Sequence, residues 1–239
     1  MIPIRGMKEF AEQWTDSFVP LRVVIQTSSP TISHPFISLD GILSRLIIER
    51  LGIFQLPERK DDIYEILLPL EKREHPEFWY WKTSMGLSNS KFIGKTYWTK
   101  HFKSEQRLDE EPIEAGRVLT YAMPLIYEPP CEFVFFCKGQ KRAVENLLAT
   151  LKNIGKKRSQ GFGRVALIKV EEIEEDLSEF YNDTIMRPIP IEIFNLEIKE
   201  GMKIEKLGFR PPYWHPLNQT FCIPPGEKKA LYLGKEKIS

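Results

Sequence analysis

Three glycines place the tightest constraint on how this chain can fold. Gly155, Gly161 and Gly163 enclose a compact basic run, Lys156-Lys157-Arg158-Ser159-Gln160, and no acidic residue lies between Lys152 and Lys169. Ahead of them, Val144, Leu147, Leu148, Leu151 and Ile154 recur at three- and four-residue intervals, which predicts a helix. Behind them, Val165 to Val170 is a β-branched apolar run of strand length. The glycines therefore fall at an expected helix-to-strand junction, with Gly155 placed to stop the helix in a left-handed conformation. Gly161 and Gly163 permit a tight turn that brings backbone amides close to an anion. Lys156, Lys157, Arg158 and Arg164 supply the matching charge, and an arginine can hold a phosphate with two hydrogen bonds.

The spacing excludes several better-known loops. A P-loop needs Lys and Ser/Thr directly after its last glycine, whereas these cations precede it. A dinucleotide fingerprint needs a preceding strand and a third glycine where Ala166 stands. Gly161-Phe162-Gly163 has part of the RNA-recognition-motif signature, but Arg164 and Leu167 occupy its aromatic positions. Two uses stay open. The run can be a solvated basic helix end, which suits the dipole there, or it can bind a phosphate backbone. Four cations packed among three glycines favour the backbone.

At 239 residues the chain can bury a substantial core, as one domain or as one domain with an elaboration. Its 42% hydrophobic and 28% charged residues are those of a soluble globular protein. A net charge of only +1 provides no global basic field, so any nucleic-acid site has to be a local patch. Cys131, Cys137 and Cys222 lack paired metal spacing and fit a reducing compartment. No apolar run approaches the roughly 20 residues that span a bilayer, and Met1 to Arg5 lacks the apolar core of a signal peptide. The expectation is a cytoplasmic protein with no cofactor, no metal and no membrane partner.

Leu21 to Thr27 reads as the first strand. Leu39-Asp40 opens a helix with Ile42, Leu43, Leu46, Ile47 and Leu51 on its apolar face and Gly52 as its stop. Ile63 to Leu70, Phe78 to Lys82, Val118 to Ile126 and Phe133 to Cys137 read as strands. A second helix starts at Lys138-Gly139-Gln140, and Val165 to Val170 closes the series. This order predicts an α+β fold, a ferredoxin-like (RRM-like) βαββαβ core with two helices on one face of an antiparallel sheet. Residues 1–180 would form that domain. Residues 181–239 would form a Pro-rich extension packed on it, partly β and partly irregular, because Tyr213, Trp214, Phe221 and Leu231 need burial. Ser84 to Gly116 does not fit the core. It interleaves cations with aromatics, among them Lys95, Tyr97, Trp98, Lys100, His101 and Phe102, which suits phosphate contact plus base stacking. The alternative is an irregular surface insertion whose rings pack back on the sheet. Glu171 to Asp176 reads as a solvated acidic face.

Gly155 to Gly163 resembles the glycine-rich loop of the RAMP superfamily, the RNA-binding proteins of CRISPR effector complexes. Pro20-Leu21-Arg22-Val23-Val24-Ile25 and Ile37 to Leu43 resemble the opening of the Cas-five-type subunit of type IV CRISPR systems. Arg210-Pro211-Pro212-Tyr213-Trp214-His215-Pro216 resembles that subunit's C-terminal segment. The resemblance implies a non-catalytic subunit that holds the five-prime end of the guide RNA (crRNA). Its neighbours would be backbone-forming RAMP subunits and a large subunit, with target nucleic acid met indirectly. RNA contacts would come from Lys156, Lys157, Arg158, Ser159, Gln160, Gly161, Phe162, Gly163 and Arg164 in the loop. Lys95, Trp98 and Lys100 would add contacts from the insertion, which would be a thumb. The enzyme alternative is a metal-independent RAMP endoribonuclease cutting precursor crRNA, with a histidine as general base. His34, just after the first strand, is its candidate. His34, His75, His101 and His215 are otherwise scattered, with no metal-ligand spacing.

Overall fold

The computed structural model describes residues 2–33, 36–53, 62–100, 121–194 and 203–228. In chain order the elements are β1 (Ile2–Pro3), α1 (Met7–Ala11), β2 (Val19–Thr27), α2 (Leu39–Arg50), β3 (Tyr64–Glu65), β4 (Lys72–Glu74) and β5 (Trp79–Trp81). There follow β6 (Leu87–Ser88), β7 (Gly94–Lys100), β8 (Tyr121–Tyr127), β9 (Glu132–Gly139), α3 (Lys141–Leu148) and β10 (Val165–Glu172). The C-terminal part adds β11 (Phe180–Tyr181), β12 (Thr184–Ile185), β13 (Ile189–Pro190), β14 (Glu205–Gly208) and β15 (Gln219–Ile223). The architecture is α+β, with antiparallel sheets and few helices.

Alternation along β2 decides where the core lies. Leu21, Val23 and Ile25 are fully buried, and they meet Phe133, Phe135 and Cys137 from β9 in one apolar cluster. The same cluster takes Ile42, Leu43, Leu46 and Ile47 from α2 and Val144, Leu147 and Leu148 from α3. Burying each such aliphatic side chain contributes about 1.5–3 kcal/mol, so this cluster is the main source of cohesion. Four strands form the central antiparallel sheet in the order β10-β2-β9-β6. Helix α2 starts where the Ser38 side chain accepts from the Gly41 amide at 3.3 Å. Gly52, at φ +68°, follows its last turn.

Several expectations change. Helix α3 ends at Leu148, so Gly155 does not stop it, although Gly155 does adopt φ +74°. Leu151 and Ile154 keep helical spacing but reach the core from non-helical chain, where Asn153 bridges Arg164 and the Lys152 carbonyl accepts from Val165. Ile63 to Leu70 is mostly unladdered: Tyr64–Glu65 pairs with β1 and Leu70 forms a single bridge to Gly139, while Leu68 and Leu70 fill the core. The segment expected to lie outside the core from Ser84 onward begins later. Ser84 is buried, its hydroxyl accepts from the Phe136 amide, and Leu87–Ser88 pairs with β9. Beyond it, β7 and β8 form a regular hairpin with Trp98 opposite Met123. Residues 101–120, including His101 and Phe102, lie outside the described residues, as do His34 and Leu231.

The C-terminal part builds a three-stranded sheet, β13-β15-β14, and is tied to the core by a buried polar cluster. Arg187, fully buried, donates to the carbonyls of Trp81, Thr83 and Phe209 and lies 4.3 Å from the Tyr80 ring centroid. The Tyr213 hydroxyl donates to the Asp40 carboxylate at 2.7 Å, and the Arg187 guanidinium stands 4.0 Å from the same group. Burial pushes the Asp40 carboxyl up, against the opposing pull of Arg187 and Tyr213. The burial expected of this part is met only in places, since Trp214 is 66% and Phe221 58% exposed. Their positions are set by the Tyr213 anchor and the β15 pairing, which leave those two rings outward.

Candidate nucleic-acid interface

The loop from Gly155 to Arg164 is held from both sides. The Lys156 amide donates to the Ile32 carbonyl at 2.9 Å, and the Gly163 amide to Pro30 at 2.7 Å. Ser29 bridges the far end: its hydroxyl donates to the Gly161 carbonyl and accepts from the Arg164 amide, each at 2.8 Å. The Asn153 side-chain amide donates to the Phe162 carbonyl at 3.1 Å. Within this frame Arg158 to Gln160 form one 3₁₀ turn between left-handed residues Lys157 (φ +55°) and Gly161 (φ +87°). A Cβ at Gly163 would lie 2.0 Å from the Ile154 carbonyl oxygen, whereas one at Gly161 would meet nothing within 4 Å. Gly163 is thus required by close packing and Gly161 by conformation alone.

The two glycine amides are already committed, Gly161 to the Arg158 carbonyl and Gly163 to Pro30. The expected approach of those N–H groups to an anion is therefore absent. What the loop offers outward is side chains: Lys156, Arg158, Ser159, Gln160 and Arg164 are exposed. Phe162 is half-buried.

Lys157 joins the loop to the hairpin. Its ammonium lies 3.8 Å from the centroid of the half-buried Trp98 ring on β7. Such a cation–π contact is worth about 0.5–1 kcal/mol at an exposed site. A lysine seldom adopts positive φ, and the left-handed backbone costs about 1–2 kcal/mol, so the surrounding hydrogen bonds have to hold it there. The neighbouring residue Lys95 stands over Tyr97 at 5.1 Å, and Tyr97 is exposed. By strand alternation Lys95 and Tyr97 share one face of the hairpin and Trp98 takes the other. Lys100 ends β7, paired with Tyr121. Loop and hairpin thus share one surface through Lys157 and Trp98.

Arg158 turns towards α2. Its guanidinium is 3.9 Å from Glu49, which also receives Arg45 at 2.8 Å, while Arg45 donates to the Asn153 carbonyl at 3.0 Å. Burial, and then the adjacent Arg45, push Arg158 below the ordinary guanidinium range, with Glu49 opposing.

A family model described as CRISPR type IV associated protein Csf3 matches residues 91–223, more than half of the chain. The chain belongs to this family. The matched span carries the hairpin, the glycine loop and the Arg210–Pro216 segment, and the type IV CRISPR membership that the resemblance implied holds. No curated protein matches the chain. Among solved structures, it is similar to a chain in the cryo-EM structure of the type III-B Cmr-beta bound to cognate target RNA. There the identity is 15% and the TM-score 0.40, with 70% of this chain and 64% of that chain covered.

In this Csf3-family chain the two described histidines lie apart. His75 stacks on Phe78 at 4.5 Å, and the buried His215 accepts from the Leu217 amide at 3.3 Å. Among the described residues no three His, Cys, Asp or Glu side chains converge to hold a metal. No helix among them is long and apolar enough to cross a membrane. Sequence reading missed Arg45, Glu49 and the Ser28–Pro30 brace. Arg45 and Glu49 have helical i,i+4 spacing, which reads as an ordinary surface pair. Nothing local links them to a loop more than a hundred residues away.

Proposed function

We propose that this chain is a non-catalytic guide-RNA-binding subunit of a type IV CRISPR ribonucleoprotein. It holds the five-prime end of the crRNA and contacts the backbone-forming RAMP subunit and the large subunit. The observation that carries this reading is the contact of Lys157 with Trp98, which unites a cation-rich loop and an aromatic hairpin in one surface. Lys156, Arg158 and Arg164 take phosphates, and the hairpin rings offer stacking platforms. The fold reading goes further in the same direction. The sheet order, with the fourth core strand beside the first, then the third and the second, supports a ferredoxin-like βαββαβ domain over residues 1–180. Residues 181–239 are its extension, and β7–β8 is the base of a thumb.

Replacing Lys156, Lys157 and Arg158 together with Ala tests the proposal. RNA affinity should fall uniformly across sequences, and the slope of log affinity against log salt should flatten by about 1.4, from about 0.7 for each of the lost Lys156 and Arg158 phosphate contacts. An unchanged slope in a folded variant refutes the loop as the phosphate site. The non-catalytic part is tested by incubating the protein with repeat RNA in chelator, where scission at a single phosphate would make it a RAMP endoribonuclease instead.

A further inference from the structure

The cations of the loop do not end at the loop. Arg158 lines a cleft of about 810 Å³ whose other walls are the outer face of α2 and the chain leaving α3. Arg45, Arg50 and Lys152 also line it, and Glu49 is the one carboxylate among its lining residues. Four positive groups against one negative leave a net +3. The carbonyl ends of α2 and α3 reach the same region, but each brings only about −0.5 of a charge, so the cleft stays cationic. Glu49 is already shared by Arg45 and Arg158. Arg50 and Lys152 are exposed and, among the described residues, have no carboxylate within 4.0 Å. Arg50 and Thr150 also line a neighbouring hollow of about 540 Å³ beside α1, where Arg142 is offset by Asp16. The result is a cationic groove that runs from the glycine loop along the outer face of α2.

We infer that this groove is a second nucleic-acid site, a track on which the phosphates of single-stranded RNA leaving the loop are held by Arg45, Arg50 and Lys152. This inference rests on the proposed RNA-binding loop and extends it. Two observations favour RNA over an acidic protein segment. Arg158 belongs to both loop and cleft, so one polyanion can occupy them continuously. The loop end also carries an aromatic ring, Trp98, under Lys157, which suits a base and offers nothing to a run of carboxylates. Burial and Arg45 already disfavour the charge on Arg158, and a phosphate between the two guanidinium groups would relieve that repulsion.

The test uses the full chain with all loop cations intact, the variant Arg50→Gln/Lys152→Gln, and oligouridylates of about 4 and about 16 nucleotides. The wild-type protein should bind the longer RNA more tightly. The double variant should bind the short RNA as before but lose roughly 25-fold on the long one at 0.1 M salt, with its salt slope lower by about 1.4. Equal affinity and slope for the long RNA in a folded double variant overturn the track and leave the loop standing. Competition of the long RNA, but not the short one, by oligoglutamate at equal charge overturns it in favour of an acidic protein partner. Loss of short-RNA binding in the loop triple variant, with none in the groove variant, keeps the two sites distinguishable. Should the double variant melt early, Lys152→Gln alone carries the test, with half the slope change expected.

Discussion

Trp98→Ala separates an RNA platform from a structural ring with one pair of measurements. The ring is half-buried and carries the Lys157 ammonium 3.8 Å from its centroid. Truncating a fully buried aromatic costs about 3–5 kcal/mol, so half-burial sets about 1.5–2.5 kcal/mol. The lost cation–π contact adds about 0.5–1 kcal/mol. Each kcal/mol moves the melting temperature of a chain of this size by about 2–4 °C, giving an expected fall of about 4–14 °C. RNA affinity should fall in addition by about 1–3 kcal/mol from lost stacking, roughly 5- to 150-fold, measured by anisotropy well below the variant's melting point. Lys157→Ala and the double variant complete a cycle. The two changes should couple by about 0.5–1 kcal/mol in stability, since each removes the other's partner. Additive stabilities would refute the contact. Normal RNA affinity in folded Trp98→Ala would refute the hairpin as part of the RNA surface.

The other expectations come from the loop, the buried cluster and an ion-pair network. Gly163→Val should prevent normal folding, because its side chain would start 2.0 Å from the Ile154 carbonyl. Gly161→Val meets no atoms and should fold with a strained turn costing about 1–2 kcal/mol; thermal melts of the pair check the contrast, and equal melting temperatures refute it. Tyr213→Phe removes the donor to buried Asp40 and should cost about 1.5–3 kcal/mol in urea unfolding; a change below about 0.5 kcal/mol would mean the tail is not anchored there. Glu71 is pulled up by burial, but hydrogen bonds from Lys138 and Lys82 outweigh this and hold its carboxyl below its ordinary 4.5. Its stabilising contribution is therefore present above pH 4.5 and lost as pH falls through the depressed folded value. Glu71→Gln should lower stability at neutral pH and flatten the acid limb of the stability profile, and an acid limb as steep as wild type would refute the pairing.

Patterns with short reach were legible from the chain alone. The alternation in β2, the apolar face of α2 and the Val165 run each carry their own period, and each element forms close to where that period places it. Leu151 and Ile154 misled because a core accepts apolar side chains from an extended strap as readily as from a helix. Ile63 to Leu70 misled for the same reason, since burial beyond the short Tyr64–Glu65 pairing, without a continued ladder, does not extend the strand. At the site, the cations and glycines were legible but not their contacts. Lys157 meets Trp98, and Arg158 meets Glu49 and Arg45, across separations that no local pattern encodes. Trp214 and Phe221 show the converse: large apolar residues do not all go inside.

The place of β2 in the middle of the central sheet bears on how the chain is made. Its neighbours β9 and β10 both come late, and the first residue to pair with it, Glu132 opposite Gln26, is synthesised about a hundred residues afterwards. At about 5–20 residues per second, β2 leaves the ribosome roughly 5–20 s before any sheet partner exists. During that interval Leu21, Val23 and Ile25 are exposed as an unpaired apolar strand, the kind of segment that chaperones capture and that aggregates when they do not. Ribosome-bound chains halted before Glu132 should therefore be cut by protease within β2, and chains halted after Glu172 should resist.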